Sequence, residues 1–325
     1  MADDEDDDIP PVARPDPSEL DFDLTAALAS IVSIRTEIPA DAFTAPMLGT
    51  ERRGNGVVIG KDGLILTIGY LITEAEQVWL TTAGGGAAPG HVVAYDQATG
   101  FGLVQALGRL GLEPMPLGSS EGVEPGEPVV IAGGQGRRDA LSARVVAKRS
   151  FAGYWEYYLD TALFSTPAHP RWGGAACIGA GGRLLGIGSL LVQEVVREGQ
   201  SMVGNMIVPI DILTPILDDL LRFGRVDAPS RPWLGLFATD SADGVTVTGL
   251  ATGGPAERAG IAAGDLVLTL DGQEIEELGD LWRRLWAAGE AGVSVSLVVS
   301  RDGRQMARTC RTADRATFLK RPALH

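Results

Sequence analysis

Between about residue 24 and residue 208, short apolar segments alternate with turn residues. Residues 56–59 and 64–67 flank Lys61-Asp62-Gly63, a pattern that is typical of a β-hairpin. The same rhythm predicts further strands at 78–81, 91–95, 103–107, 128–132, 143–147, 157–161, 175–178, 184–187 and 206–208. About a dozen strands at this spacing predict antiparallel barrels or a sandwich.

The pattern changes after residue 210. Asp211 is suited to cap a helix and Gly224 to end it. The apolar face of this helix would consist of Ile212, Leu213, Ile216, Leu217, Leu220 and Leu221. A short polar linker follows at 225–231, and residues 232–312 then mix strands, turns and two helices, which predicts a small α/β module. The two helices are predicted at 255–260 and 278–288.

The charge distribution excludes some partners. A formal net charge of −15 argues against binding to nucleic acid or to an anionic membrane, because both need basic patches. Residues 1–22 are acidic and rich in proline, so we expect a disordered tail. The chain starts without the basic and apolar regions of a secretory signal, and residues 24–34 are too short to span a membrane. These features predict a cytoplasmic protein that does not insert into membranes.

No cofactor or metal site is predicted. Cys177 and Cys310 match no metal-ligand spacing and imply no disulfide framework, so both are expected to be buried thiols.

Two segments resemble the HtrA/Deg serine proteases. Gly54-Asn55-Gly56-Val57-Val58-Ile59, followed by residues 62–67, is similar to the hairpin that leads to the family's catalytic histidine. Residues 223–236 resemble the junction between protease and PDZ domains, and PDZ-like turns follow at 253–256, 259–260, 263–265, 271–272 and 301–303. The resemblance implies a mainly β fold: a chymotrypsin-like pair of six-stranded β-barrels and then a small α/β PDZ domain. The expected segments are 1–22 (tail), 23–225 (barrels), 226–313 (PDZ) and 314–325 (C-terminal tail).

Aligned with the family's motifs, the catalytic positions hold other residues. Tyr70 stands where the family has histidine, Gly100 where it has aspartate, and Trp172 where it has the nucleophilic serine. A phenol holds its proton at neutral pH, glycine has no side chain, and an indole has no nucleophilic atom. Pro170 replaces the first glycine of the nucleophile motif and has no N–H to offer an oxyanion.

These substitutions lead to the expectation that the chain is not an enzyme. It would instead be a pseudoprotease that binds polypeptide as an adaptor, a chaperone-like factor or a structural subunit. The alternative is a serine-type endopeptidase or other hydrolase with an unconventional site, for which the candidate groups are Ser165, Thr166, His169 and Cys177. The resemblance also implies a homotrimer, and a stable hetero-complex is the other possibility.

The PDZ-like part predicts a peptide-binding groove for a protein partner. In such domains a peptide C-terminus adds as a strand, and backbone N–H groups hold its carboxylate. The predicted loop and strand are Trp233, Leu234, Gly235, Leu236 and Phe237, and Leu281 and Leu285, on one face of the second helix with Leu278, are predicted to wall the pocket. Trp282 and Trp286 form an i, i+4 pair that is expected at the helix surface.

Overall fold

The structure is a computed structural model that describes residues 8–197 and 200–320. Within these residues the chain forms two compact units. One unit contains residues up to 149, residues 161–226 and residue 320, and the other contains residues 150–160 and 227–319. The second unit therefore combines residues 227–313 of the expected PDZ segment with residues 314–319 of the expected C-terminal tail and residues 150–160 of the expected barrel segment.

The first barrel lies entirely within the described residues and closes six antiparallel strands in the order β1-β2-β3-β6-β5-β4. The predicted hairpin is present, with Val57 paired to Leu66 and Val58 to Ile65. Both of its strands carry buried apolar side chains, because a closed barrel covers its inner face completely. The strands are β1 (Ile31–Glu37), β2 (Glu51–Val58), β3 (Leu64–Ile68), β4 (Gln77–Thr82), β5 (Ala87–Tyr95) and β6 (Phe101–Ala106).

The second barrel closes in the order β10-β11-β12-β9-β8-β7. Its interior includes Ile131, Val145, Leu163 and Ile207, all without exposed surface. The strands are β7 (Pro128–Ala132), β8 (Ala140–Gly153), β9 (Tyr157–Thr166), β10 (Ala176–Ile178), β11 (Leu184–Arg197) and β12 (Gln200–Pro209). Strands β8 and β9 extend well past the lengths predicted for them, and the tip of their hairpin belongs to the second compact unit.

Short helices accompany the barrels: α1 (Leu24–Ala29), α2 (Ala45–Leu48) and α3 (Leu217–Phe223). The helix predicted from Asp211 begins later than expected. The Asp211 carboxylate accepts hydrogen bonds from the amide and hydroxyl of Ser120 and so does not cap it, and Ile210–Ile212 form a 3-10 turn. Gly224 ends α3 with φ = 69°, as predicted.

The second unit has the mixed α/β composition that was predicted. Its sheet runs in the order β13-β14-β15-β17-β18, with β16 paired to β15, and β13 lies at an edge. The elements are β13 (Leu236–Ser241), β14 (Gly244–Leu250), α4 (Pro255–Arg258), β15 (Leu266–Leu270), β16 (Gln273–Glu274), α5 (Leu278–Ala287), β17 (Ser294–Arg301) and β18 (Arg304–Arg311). The predicted fold class, a double six-stranded barrel followed by a small α/β domain, is confirmed.

The chain ends differ from the expected tails. Ile9 is buried and its amide donates to the carbonyl of Arg138, so the expected tail is anchored at this point, although most of residues 10–21 are exposed. Near the other end, Ala313 pairs with Trp233, and the Phe318 ring lies 4.7 Å from the Trp233 ring. Residues 1–7 and 321–325 of the expected tails lie outside the described residues. Among the described residues, none of the helices has both the length and the apolar character that crossing a bilayer requires.

The first barrel core yields a stability prediction. Phe101 is fully buried in β6, whereas Phe223 at the end of α3 is 57% exposed. Phe101→Ala is expected to lower the free energy of unfolding by about 3–5 kcal/mol, because it removes buried ring surface and leaves a cavity. Phe223→Ala, the matched control, is expected to change it by about 0.5 kcal/mol or less. Urea denaturation followed by circular dichroism measures both, and equal effects would contradict this assignment of the core.

Candidate functional site

Tyr70 lies in the 3-10 turn Gly69–Leu71, directly after β3. Its hydroxyl donates a hydrogen bond to the carbonyl oxygen of Ser189, at 2.9 Å. Burial raises the pKa of the Tyr70 hydroxyl far above its usual value, and a hydrogen bond with Trp172 lowers it only in part. Tyr70 therefore holds its proton at neutral pH and cannot serve as the general base that the family's histidine provides.

Gly100 lies just before β6 with φ = 83°, a conformation that favours glycine. Its carbonyl oxygen accepts a hydrogen bond from the amide of Gly69 at 2.7 Å. Thus position 100, where the family's motif has an aspartate side chain, contributes a backbone hydrogen bond to Gly69 here. The nearby Asp96 carboxylate is held within its own turn, where it accepts from the Thr99 amide at 2.8 Å and hydroxyl at 2.7 Å.

The loop that carries Trp172 is held against β2 by Asn55. The Asn55 amide donates to the carbonyl of Gly173 at 2.8 Å, and its side-chain Nδ2 donates to the carbonyl of Arg171 at 2.9 Å. Gly174 has φ = 75°, and a Cβ added there would lie 1.8 Å from the Asn55 carbonyl oxygen. Gly174 is therefore required by this close backbone approach, whatever residue occupies position 172, whereas a Cβ at Gly173 would lie 2.7 Å from the Tyr70 hydroxyl oxygen.

A buried polar cluster supports the same loop. Asp139 has no exposed side-chain surface, and its Oδ1 accepts from the Arg171 guanidinium at 2.6 Å and lies 3.3 Å from His169 Nε2. His169 Nδ1 accepts from the Arg171 amide at 3.1 Å, so the ring carries its proton on Nε2, toward Asp139. Burial alone would raise the pKa of Asp139, but His169 and Arg171 together hold it below its usual value.

The side chains proposed for an unconventional hydrolase do not form a nucleophile and base in this structure. His169 is fully buried and bonded to Asp139 as described. Ser165 is also fully buried, and its hydroxyl has no hydrogen-bond partner among the described residues. Thr166 donates to the carbonyl of Val203. Burial raises the pKa of the Cys177 thiol to about 12, which keeps it protonated.

The loop of the second unit that was predicted to hold a peptide's terminal carboxylate, the carboxylate loop, already binds a carboxylate. That carboxylate belongs to a side chain of the protein itself. The amides of Leu234, Gly235 and Leu236 donate to the side chain of Glu156 at 3.1, 2.6 and 2.9 Å. Glu156 lies at the tip of the β8–β9 hairpin with φ = 59° and is 4% exposed. Burial raises the pKa of this carboxyl to about 7, although the three amides and Arg315 act to lower it.

The other residues that were predicted to form the groove differ in their burial and in what they pack against. Phe237 is half-buried on β13, with its ring 6.1 Å from that of Tyr154. Trp233 is buried and packs against Phe318, so its predicted contact with a peptide stays a prediction. Leu281 and Leu285 are fully buried in the core of the unit, so their role as walls of an open pocket stays a prediction.

Two residues were missed or misplaced by the sequence analysis. Trp282, expected at the helix surface, is fully buried, and its indole N–H donates to the Gly153 carbonyl at 2.9 Å. Glu156 was not recognised as a site residue. Its only local signal is an acidic residue among the aromatic residues of a hairpin turn, which is too weak to identify a site.

Family comparisons agree with this architecture. A family model for the trypsin-like peptidase domain matches residues 54–187, and one for the PDZ domain matches residues 232–309. A probable periplasmic serine endoprotease, DegP-like, from Pseudomonas fluorescens is 28% identical over 265 residues, covering 78% of this chain and 54% of the relative. The Bacillus subtilis serine protease Do-like HtrA is 22% identical, covering 89% of this chain and 71% of the relative. The chain spans about half the length of most of the curated relatives it matches.

Solved structures show the same fold. The HtrA-type protease AlgW with decapeptide aligns at a TM-score of 0.52 with 22% identity, covering 92% of this chain and 98% of that one. A serine endoprotease from Yersinia pestis aligns at a TM-score of 0.52 with 19% identity, covering 91% and 99%.

The Asp139 cluster yields a prediction with a defined pH dependence. Asp139→Asn is expected to lower the free energy of unfolding by about 3 kcal/mol at pH 7, because it breaks a buried ion pair. The folded pKa of Asp139 lies below the usual 3.8, so its contribution is present above that value and is lost as the pH falls through the folded pKa. Urea titrations at several pH values measure this, with exposed Asp160→Asn as the control. An equal loss at all pH values would contradict the ionic role of Asp139.

The comparisons also correct one expectation. The prediction that the chain is not an enzyme is wrong, because the matched relatives are named as serine endoproteases, which points to an enzyme. The chain is thus a trypsin-like peptidase domain followed by a PDZ domain, and its homologues are HtrA-type serine proteases.

Proposed function

We propose that this protein recognises polypeptides, and that its PDZ domain binds the C-terminal segment of a protein partner. The observation that carries this proposal is the convergence of the Leu234, Gly235 and Leu236 amides on one carboxylate. Three N–H groups aimed at one point form a receptor for an anion with two oxygens, which is the chemistry of a peptide C-terminus. The solved AlgW structure with a decapeptide lends support at the level of the fold.

The position of this receptor favours a peptide over a small anion. The loop leads directly into β13, which is the edge strand of its sheet. An edge strand has a neighbouring strand on one side alone, so an extended peptide held by its carboxylate can pair along its other side. The homotrimer and the hetero-complex that the sequence suggested stay predictions.

A serine-type endopeptidase is the second candidate function, and the names of the relatives favour it. This activity would need a nucleophile other than the residue at position 172, because the Trp172 indole offers none. It would also need a general base other than Tyr70, whose hydroxyl is bonded to the Ser189 carbonyl. The nucleophiles to be tested for this candidate are therefore the buried seryl residues Ser165 and Ser189.

Peptide binding is tested with fluorescein-labelled heptapeptides that end Tyr-Ser-X, where X is Ala, Val or Leu, each made with a free carboxylate and as an amide. Fluorescence anisotropy on the full chain is expected to show binding that amidation weakens by about tenfold or more, because one charged acceptor of the loop's N–H groups is lost. The proposal fails if no peptide binds either the full chain or its Glu156→Ala variant, or if the amides bind as tightly as the free acids.

The endopeptidase candidate predicts covalent labelling by a fluorophosphonate probe at a seryl residue that mass spectrometry can map. It also predicts cleavage of casein that the same labelling abolishes. Ser165→Ala and Ser189→Ala, compared with exposed Ser201→Ala, would then identify the nucleophile by the loss of both signals. Absence of labelling together with absence of casein cleavage would remove this candidate.

A further inference from the structure

The segment Gly153–Glu156 lies in the PDZ groove in the manner of a bound peptide. The Glu156 carboxylate is held by the loop, and the carbonyl oxygen of Tyr154, two residues earlier, accepts from the amide of Ala238 at 2.9 Å. The donors on β13 are likewise two residues apart, Leu236 and Ala238. A strand pairs with its neighbour through alternate residues, so this spacing is the one that an added peptide strand would use.

The helix side of the groove contacts the same segment. The indole N–H of Trp282 on α5 donates to the carbonyl of Gly153 at 2.9 Å. On the same side, the Arg283 guanidinium lies 5.4 Å from the centre of the Tyr158 ring. The segment is therefore enclosed between β13 and α5, which is where a PDZ domain takes its ligand.

We propose that Tyr154–Glu156 is an internal ligand that closes the PDZ groove, and that a partner's C-terminus with an aromatic residue two positions before its carboxylate binds by displacing it. This inference rests on the proposed peptide-binding function. The side chain of Glu156 stands in for the terminal carboxylate, and Tyr154 stands in for the residue two positions upstream.

The requirement for an aromatic residue follows from the position of Tyr154. Its ring lies 6.1 Å from the ring of Phe237, which stays on β13 when the segment leaves, so an aromatic side chain of the groove receives it. Tyr154 is 44% exposed, which leaves room for a ligand ring in the same place. Aromatic pairs at such distances add to affinity beyond the area that they bury.

The conformation and burial of Glu156 are energetically unfavourable, so another ligand can replace the internal one. Glu156 adopts φ = 59°, a conformation that is unfavourable for a residue with a side chain. Its carboxylate is almost fully buried, and the positive charge of Arg315 offsets that burial only in part. Burial accordingly raises the pKa of this carboxyl. A peptide C-terminus offers the same two oxygens without the strained turn.

A competing internal ligand lowers the apparent affinity for any external one, because only the open fraction of the protein can bind. Glu156→Ala removes the carboxylate and leaves the loop N–H groups free. The affinity for the free-acid Tyr-Ser-Val heptapeptide is therefore expected to increase about tenfold or more relative to the wild type. Glu156→Gln, which keeps an acceptor oxygen but not the charge, is expected to give a smaller increase.

Two controls accompany this measurement. Glu290→Ala removes an exposed glutamate of the same unit and is expected to leave the affinity unchanged. A heptapeptide with alanine in place of tyrosine is expected to bind Glu156→Ala more weakly than the tyrosine peptide does. Thermal unfolding of each variant identifies loss of fold, and Glu156→Gln keeps the test decisive if Glu156→Ala does not fold.

Hydrogen–deuterium exchange tests the displacement itself on the wild-type chain. With saturating free-acid peptide, amides of residues 150–160 are expected to exchange faster, while those of 234–238 stay protected by the new ligand. Peptide binding that leaves the exchange of 150–160 unchanged would overturn the inference.

The outcomes separate the two proposals. If neither the wild type nor the Glu156 variants bind any free-acid peptide, the proposed function itself fails. If the wild type and the variants bind equally, the PDZ domain recognises C-termini but Glu156 is not a competitor. Tighter binding by the variants, with faster exchange of 150–160 in the wild type, supports both.

Discussion

Buried N–H groups must find acceptors, and in this protein two buried carboxylates meet that requirement at the places where the chain is least regular. Asp139 binds Arg171 and His169 and so fixes the loop that holds Trp172. Glu156 accepts from the carboxylate loop of the PDZ domain. Backbone hydrogen bonds, such as those from Asn55 to Gly173 and from Ala251 to Gly235, also hold these loops, and the carboxylates supply the remaining contacts from distant parts of the chain.

The regular parts of the fold could be predicted because their signals are local. Alternating apolar residues and a Lys61-Asp62-Gly63 turn are sufficient for the β2–β3 hairpin, and Gly224 is sufficient to end α3. The errors arose where a distant partner overrides the local preference. Asp211 bonds Ser120 and does not cap a helix, and Trp282 is buried although its neighbours Arg283 and Arg284 mark a polar helix face.

The site was predicted in part for the same reason. The sequence identified the loop residues Leu234, Gly235 and Leu236, because the turn and the edge strand are encoded within a few positions. It could not supply their partner, since Glu156 is separated from Leu234 by 78 positions and its neighbours are aromatic residues that any hairpin tip can carry. When only the tertiary structure brings an acceptor close to a loop, the sequence contains no periodic pattern that would reveal the contact.

The scaffold and the chemistry of the peptidase domain are carried by different residues. The close approach between Asn55 and Gly174 is a backbone contact, and the paired strands of both barrels are held by backbone hydrogen bonds and buried apolar side chains. None of these contacts involves a side chain at position 70, 100 or 172. The fold that the chain shares with HtrA-type proteases is therefore compatible with a change at all three positions. Consequently, peptide cleavage by this protein would have to proceed through groups that the shared scaffold does not itself specify.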